Sequence, residues 1–280
     1  MDPMTGKQAD EDPRRTGMPE QPSVLDAVVR TYSAAARLQV SSLGGCCASC
    51  GCGAVTSGNY EPSKLEGLAQ LENSSLGCGN PIPEADLAPG EVVLDLGSGA
   101  GLDTFLAAQR VGADGLAIGL DVTREMAELA ERNRRTHRID NARFLVGRME
   151  CIPLPSASVD VVLSNCVLNL SVDKRALVAE VFRVLKPGGR LVASDIVAGG
   201  PVSEELRREV GLWSACFAGA LSVEEWTALL NDAGFCEVRI EPRRSYSESD
   251  VGTVGLPADA PTFLSAVLWA RRPGPNGAAS

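Results

Sequence analysis

The chain has 280 residues, 44% hydrophobic and 22% charged, and 36 acidic side chains against 26 basic ones give a net charge of −10. That balance, with no basic stripe, excludes steering toward nucleic acid or an anionic membrane. No apolar run is long enough to span a bilayer and no signal-peptide core is present, so a cytoplasmic protein is expected, taken as a monomer.

Residues 1–22 are polar, charged and Pro-rich and read as a disordered tail. From Ser23 to Leu38, Val24, Leu25, Val28, Val29, Tyr32 and Ala36 recur at helical spacing. The stretch Gly44-Gly45-Cys46-Cys47-Ala48-Ser49-Cys50-Gly51-Cys52-Gly53 is too glycine-rich for a helix and reads as a loop, and Leu76-Gly77-Cys78-Gly79-Asn80-Pro81 has turn chemistry.

Beyond Glu91 short apolar runs alternate with helical stretches. Strands are predicted at Val92–Leu96, Leu116–Leu120, Ala142–Val146, Val159–Leu163, Arg190–Ile196, Cys236–Ile240 and Phe263–Trp269, and helices at Arg124–Arg135 and Lys174–Leu185. This alternation predicts an α/β fold with a doubly wound, seven-stranded, Rossmann-like sheet, whose last two strands, joined by a loop alone, pair antiparallel. The expected division is a cap with a cysteine-rich loop over 23–82, a cofactor-binding core over 83–198, a substrate-binding insert over 199–230 and C-terminal strands over 231–280.

Asp95-Leu96-Gly97-Ser98-Gly99-Ala100-Gly101 ends the first strand and opens a helix, where glycines let the backbone approach a ligand and free N–H groups face it. Asp121 closes the second strand, where a carboxylate accepts from a ribose diol. A dinucleotide would suit such a loop equally well. The G-x-G-x-G form, Gly147-Arg148-Met149-Glu150 after the third strand and Lys186-Pro187-Gly188-Gly189-Arg190 before the fifth together resemble the motif series of class I S-adenosylmethionine methyltransferases. The resemblance implies that Asp95, Gly97, Ser98, Gly99 and Gly101 line the methionine part, Asp121 holds the ribose, and Met149 and Glu150 flank the adenine. Asn165 is counted with this cofactor-binding set, although orienting substrate and capping a loop are both open to it and to Asn169. Arg148 departs from the acid that many relatives carry there. Asp103 either meets the methionine amine or favours the helix N-terminus.

Nine cysteines without an export signal argue against a disulfide framework. Cys166 lies just past the fourth strand at the ligand crevice, Cys216 after the fifth, and Cys78 ahead of the first, so three thiols from three segments can converge over one cofactor. Thiolates favour soft acceptors. Trivalent arsenic takes three sulfurs and keeps a nucleophilic lone pair, so no general base is needed. The single histidine, His137, reads as a surface residue. With Ser164-Asn165-Cys166-Val167-Leu168-Asn169-Leu170-Ser171 and Leu76-Gly77-Cys78-Gly79-Asn80-Pro81, the chain resembles the arsenite methyltransferases. That resemblance implies arsenic held by Cys78, Cys166 and Cys216, and a fourth cysteine, Cys50 with Cys47 next, exchanging disulfides during turnover. It implies arsenite and methylated arsenicals as substrates, S-adenosylmethionine as methyl donor and an external thiol reductant of the thioredoxin or glutathione type. Cys151 and Cys236 read as core residues, Trp213 as packing, and Cys47-x-x-Cys50 alternatively as half of a zinc site. Two other functions compete: methylation of a small organic acceptor, and metalloid binding without turnover.

Overall fold

The computed structural model describes residues 23–41, 59–60, 65, 67–72, 77–209, 212–213, 215–246, 256 and 260–275. Residues 1–22 and Cys46, Cys47, Cys50 and Cys52 lie outside these described residues.

In chain order the elements are α1 (Val24–Ser41), β1 (Val92–Leu96), α2 (Leu102–Val111), β2 (Leu116–Asp121), α3 (Arg124–Thr136), β3 (Ala142–Val146), β4 (Val159–Asn165), α4 (Lys174–Val184), β5 (Leu185–Ala198), α5 (Glu204–Arg208), β6 (Leu221–Ser222), α6 (Val223–Asp232), β7 (Cys236–Ser245) and β8 (Phe263–Arg271). The sheet runs β3-β2-β1-β4-β5-β8-β7, with β6 beside the end of β5. The β3-to-β5 part is parallel, and β8 pairs antiparallel with β5 and with β7, the latter pairing being the one expected from the sequence. Only the two-residue β6 exceeds the seven expected strands.

Period-two alternation sorts the strand side chains between two cores. Val93, Val161 and Val192 face Phe105 and Ala107 of α2. Leu94, Val162, Leu191 and Ala193 face Val178 and Val181 of α4 and Trp226 and Leu230 of α6. Both faces are covered, which is why the central strands are continuous apolar runs. Ser222 and Glu225 form a reciprocal capping box that starts α6 right after β6.

Several strands run one to five residues past their predicted ends, and the start of β5 is among the largest shifts. α4 stops at Val184 and β5 begins at Leu185, not Arg190, with a register irregularity between Val159 and Val161 of its partner. Pro187 explains the stop, because it disfavours helical geometry at Lys186. Among the described residues no helix is long and apolar enough to cross a membrane.

The strand order reverses between β1 and β4, and ligand crevices open above the carboxyl ends of strands at such a switch point. A third apolar cluster lies over this end, uniting Val28 of α1, Cys78, Cys166, Cys216, Phe217, Tyr246 and Phe263.

Candidate cofactor and thiol site

The β1–α2 loop turns through three glycines with positive φ: Gly97 at 68°, Gly99 at 51° and Gly101 at 97°. A Cβ on Gly97 would come within 2.3 Å of Val167, and one on Gly101 within 2.8 Å of Phe105, so side chains are excluded at both positions. Asp121, at the end of β2, accepts from the backbone N and the Oγ1 of Thr123, both at 2.8 Å, and from Gly99 N at 3.0 Å. Thr104 Oγ1 donates to Asp95 at 2.6 Å. Ser98 Oγ is buried with no protein partner.

Asp95, Gly97, Ser98, Gly99 and Asp121 line one pocket together with Leu25, Val28 and Tyr32 of α1, whereas Gly101 lies behind this lining against Phe105 and Phe144. The acidic lining of the pocket is Asp95, Asp103, Asp121 and Glu150; its one basic residue, Arg148, sits 3.4 Å from Glu150. Burial lifts the carboxyl pKa of Asp95, Asp103 and Asp121 above the usual range, and Asp103 pushes Asp95 further still. Such a cavity favours a cationic ligand that carries hydroxyl donors.

Cys166 lines the same pocket immediately after β4. Cys78, Cys166 and Cys216 are all buried and free. Cys216 Sγ donates to the Cys166 carbonyl at 2.9 Å, and Cys78 Sγ lies 3.8 Å from the Ser194 carbonyl. Burial, opposed by a thiol contact with Cys166, lifts the Cys78 pKa. The contact with Cys216 pulls Cys166 down but is outweighed by Cys78 and burial, while Cys216 is raised by Cys166 and then by burial. The three thiols named from the sequence therefore meet as one protonated cluster.

Asn165 fastens the turn that carries Cys78. Its Nδ2 reaches Gly79 O at 2.8 Å, Tyr60 Oη at 2.9 Å and Asp103 Oδ2 at 3.0 Å, and its Oδ1 accepts from Gly79 N at 3.2 Å. Tyr60 donates in turn to Asp103 Oδ1 at 2.8 Å. A Cβ on Gly77 would land 2.3 Å from the Asn165 amide, so this close approach requires glycine. Asp103 thus touches the cap directly, beyond the two roles considered for it from sequence.

Beside the thiols, Asp195 Oδ1 accepts from Asn169 Nδ2 at 2.9 Å and Ile196 N at 2.8 Å. Burial raises Asp195 to about 6 and lowers Lys174 to about 8, each opposed by the other's charge. Lys174 Nζ donates to Asn169 O at 3.1 Å and sits 5.3 Å from the Trp213 ring centre. Tyr246 is buried nearby, its phenol pKa raised by burial and then by Cys78 and Cys166.

A methyltransferase-domain family model matches residues 87–234. An arsenite methyltransferase of Halobacterium salinarum is 40% identical over 241 residues, covering 84% of this chain and 61% of that protein. The human arsenite methyltransferase is 35% identical over 202 residues, covering 67% and 53%. The crystal structure of an arsenic(III) S-adenosylmethionine methyltransferase from Chlamydomonas reinhardtii matches with a TM-score of 0.64 and 30% identity, over 76% of this chain and 73% of that one. The chain belongs to the arsenite methyltransferase family. It spans between about half and three fifths of the length of these two curated relatives.

In this family member the acidic pocket fits S-adenosylmethionine, whose sulfonium and ammonium charges suit the buried carboxylates and whose hydroxyls suit Asp121 and the partnerless Ser98. Met149, Glu150 and Asn165 line the pocket, and the hydrogen bonds of Asn165 run to the cap. Cys50 lies outside the described residues. Cys151 is not a core residue: it is exposed, in the turn that follows the edge strand β3. Cys236 is only half-buried, its thiol donating to Arg271 O at 3.3 Å, so it too departs from the core assignment. Asp195, Tyr60, Tyr246 and the α1 wall escaped the sequence reading. A signal existed for Asp195, since a carboxylate near the carboxyl end of a central parallel strand borders the crevice. Tyr60, Tyr246 and α1 arrive through long-range packing that leaves no local pattern.

Proposed function

We propose that this protein transfers methyl groups from S-adenosylmethionine to trivalent arsenic bound by Cys78, Cys166 and Cys216, and so detoxifies arsenite. The observation that carries this reading is the meeting of three buried thiols from three chain segments at Cys166, which lines the cofactor pocket. In this reading residues 23–82 form the cap, 83–198 the cofactor core, 199–230 the arsenic-binding insert and 231–280 the strands that complete the sheet.

Arsenous acid exchanges three hydroxides for three thiols, and each thiol proton leaves with a hydroxide as water. The raised thiol pKa values suit this exchange, because no thiolate charge has to be buried beforehand. Bound S-adenosylmethionine supplies an electrophilic sulfonium methyl group. Asp95, Asp121 and the Gly97–Gly101 loop hold the donor, while the cysteines aim the arsenic lone pair at the methyl carbon. No proton leaves the attacking atom, which agrees with a site far from His137 at the carboxyl end of α3. Alignment of the two reactants supplies much of the acceleration, for which ~7–11 kcal/mol is available.

Transfer leaves a cationic pentavalent arsenic with three sulfur ligands. Attack of the Cys50 thiolate on the Cys78 sulfur forms a disulfide and returns the As–S electron pair to arsenic, which becomes methylated and trivalent. An external thiol reductant, one dithiol of the thioredoxin type or two equivalents of a monothiol of the glutathione type, then reduces the disulfide. Cytoplasmic location, where such reductants reside, belongs to the same reading.

The test is incubation with labelled S-adenosylmethionine, arsenite and thiol, followed by speciation of arsenic. Labelled methylarsenicals are the expected product. No S-adenosylhomocysteine formation would leave a binding protein, and label in an organic acceptor instead would overturn the substrate.

A further inference from the structure

One carboxylate oxygen of Asp195 and the sulfurs of Cys78 and Cys166 all lie within 4.8 Å of one another, and all three residues are buried. Cys216, the remaining thiol, is turned to the carbonyl of Cys166. We propose that Cys78, Cys166 and Asp195 form a binding site for a borderline-soft divalent cation, zinc first, distinct from the all-sulfur arsenic set because Asp195 takes the place of Cys216.

The donor chemistry fits. Zinc binds thiolate at about 2.3 Å and carboxylate at about 2.0–2.2 Å in a tetrahedron, which puts two sulfurs on one ion about 3.8 Å apart. Donors already within 4.8 Å of one another need to close by no more than about 1 Å. Water completes the fourth position, with Cys216 left on the Cys166 carbonyl. The carboxylate is also held as a ligand must be held. Asn169 Nδ2 and Ile196 N fix Oδ1, whereas Asn169 N reaches Oδ2 only at a long 3.4 Å.

Charge gives a second, independent argument. Two thiolates and a carboxylate carry −3, zinc reduces this to −1, and the Lys174 ammonium, which acts on both Asp195 and Cys216, brings the site to neutrality. Arsenic(III) differs on each count. It keeps a stereochemically active lone pair, takes three sulfurs and has little use for a carboxylate. The two ligands share Cys78 and Cys166, so they exclude one another. Zinc has no lone pair to offer a methyl carbon, and a zinc-loaded site is inert. Zinc is then a competitive inhibitor against arsenite. This last consequence rests on the methyl-transfer reading; the binding itself does not.

The experiment uses the reduced full chain with Cys46, Cys47, Cys50 and Cys52 replaced together by Ser, so that the N-terminal cluster cannot bind metal. Zinc and arsenite are titrated separately by calorimetry. Asp195→Asn, which keeps an acceptor for Asn169 and Ile196, should weaken zinc at least tenfold and leave arsenite within threefold. Cys216→Ser should do the reverse. Zinc K-edge absorption on the parent protein should show two sulfur neighbours with oxygen completing the shell. Unchanged zinc affinity in Asp195→Asn, or a shell without oxygen, overturns the site. Unaltered S-adenosylhomocysteine binding shows that each variant is folded, and if Asp195→Asn fails to fold the absorption spectrum decides. Absence of arsenite binding in the parent would refute the proposed function while leaving the zinc result to stand or fall alone.

Discussion

Cys216 donates its thiol to the backbone carbonyl of Cys166 at 2.9 Å, and both residues hold left-handed backbone, with φ of 67° and 60°. Such conformations cost a non-glycine residue on the order of 1–3 kcal/mol and persist only where their surroundings enforce them. Here Cys166 N donates to Ser194 O at 2.7 Å and Cys216 N to Trp213 O at 2.9 Å. The strain aims two thiols from separate segments at one point. Cys166→Ser and Cys216→Ser keep this backbone but replace a soft donor with a hard, protonated one. Each should abolish arsenite methylation, read by product speciation, while calorimetry shows S-adenosylmethionine affinity within threefold of the parent. Near-parental turnover in either variant would return that cysteine to a packing role.

The Asn165 amide is the strap between the Cys78 turn and the sheet. Asn165→Ala removes its bonds to Gly79, Tyr60 and Asp103 and leaves buried partners unmet, at about 1–3 kcal/mol. The Cys78 turn should then open more often. Alkylation of Cys78 followed by mass spectrometry should accelerate at least tenfold, with Cys216 as protected as before. Gly77→Ala should do the same through the clash of its new Cβ with that amide. Equal protection of Cys78 in both variants would show that the cap is held elsewhere.

Much of this architecture was legible because its determinants are local. The Asp95–Gly101 loop, the alternation of strands and helices, and the thiol just past β4 follow from residue type and spacing. What escaped depends on which distant segments meet. Nothing around Tyr60 announces a bond to Asp103, 43 residues on. Cys151 resembles a core cysteine until β3 proves to be the sheet edge. Helix α4 was drawn one residue too long because its apolar pattern runs smoothly into β5, and only Pro187 marks the break.

The buried carboxylates of the cofactor pocket predict a pH dependence. Asp95, Asp103 and Asp121 have folded pKa values above their unfolded ones, so the folded chain binds more protons and is favoured at low pH. Their contribution is greatest below the unfolded value and is lost as pH rises through the raised values. Glu125, Glu131 and Glu180, lowered by arginine partners, act in the opposite sense and cost stability only below about pH 4.5. The melting temperature of the ligand-free protein should therefore peak in mild acid and decline toward pH 7.5. A cationic donor favours the ionised carboxylates, so S-adenosylmethionine affinity should rise over the same interval, and Asp95→Asn should flatten that rise. Asp121→Ala should weaken donor binding by ~1.5–3 kcal/mol through loss of the ribose acceptor. Calorimetry at pH 5.5 and 7.5 checks these four statements, and pH-independent affinity in the parent would remove the electrostatic account of the pocket.

Cys78 is set apart from the other two thiols by its mounting. Cys166 and Cys216 are placed by backbone that follows β4 and β5, whereas Cys78 sits on a turn held by the Asn165 strap. Inorganic arsenite needs three sulfurs, but a methylated arsenic needs two from the protein, which makes one thiol dispensable after the first transfer. The strapped turn is the part that can let go, and its thiol is then free to pair with Cys50. Cys50→Ser and Cys78→Ser should therefore lose methylation of arsenite yet keep methylation of monomethylarsenite, while Cys166→Ser and Cys216→Ser lose both. Cys47→Ser, assayed beside them with thiol in excess, identifies which N-terminal cysteine closes the disulfide. If Cys78→Ser lost both activities, three sulfurs would be needed throughout the cycle and the release step would be wrong. If the Cys47 and Cys50 variants both matched the parent on both substrates, the reducing electrons would come from outside the chain.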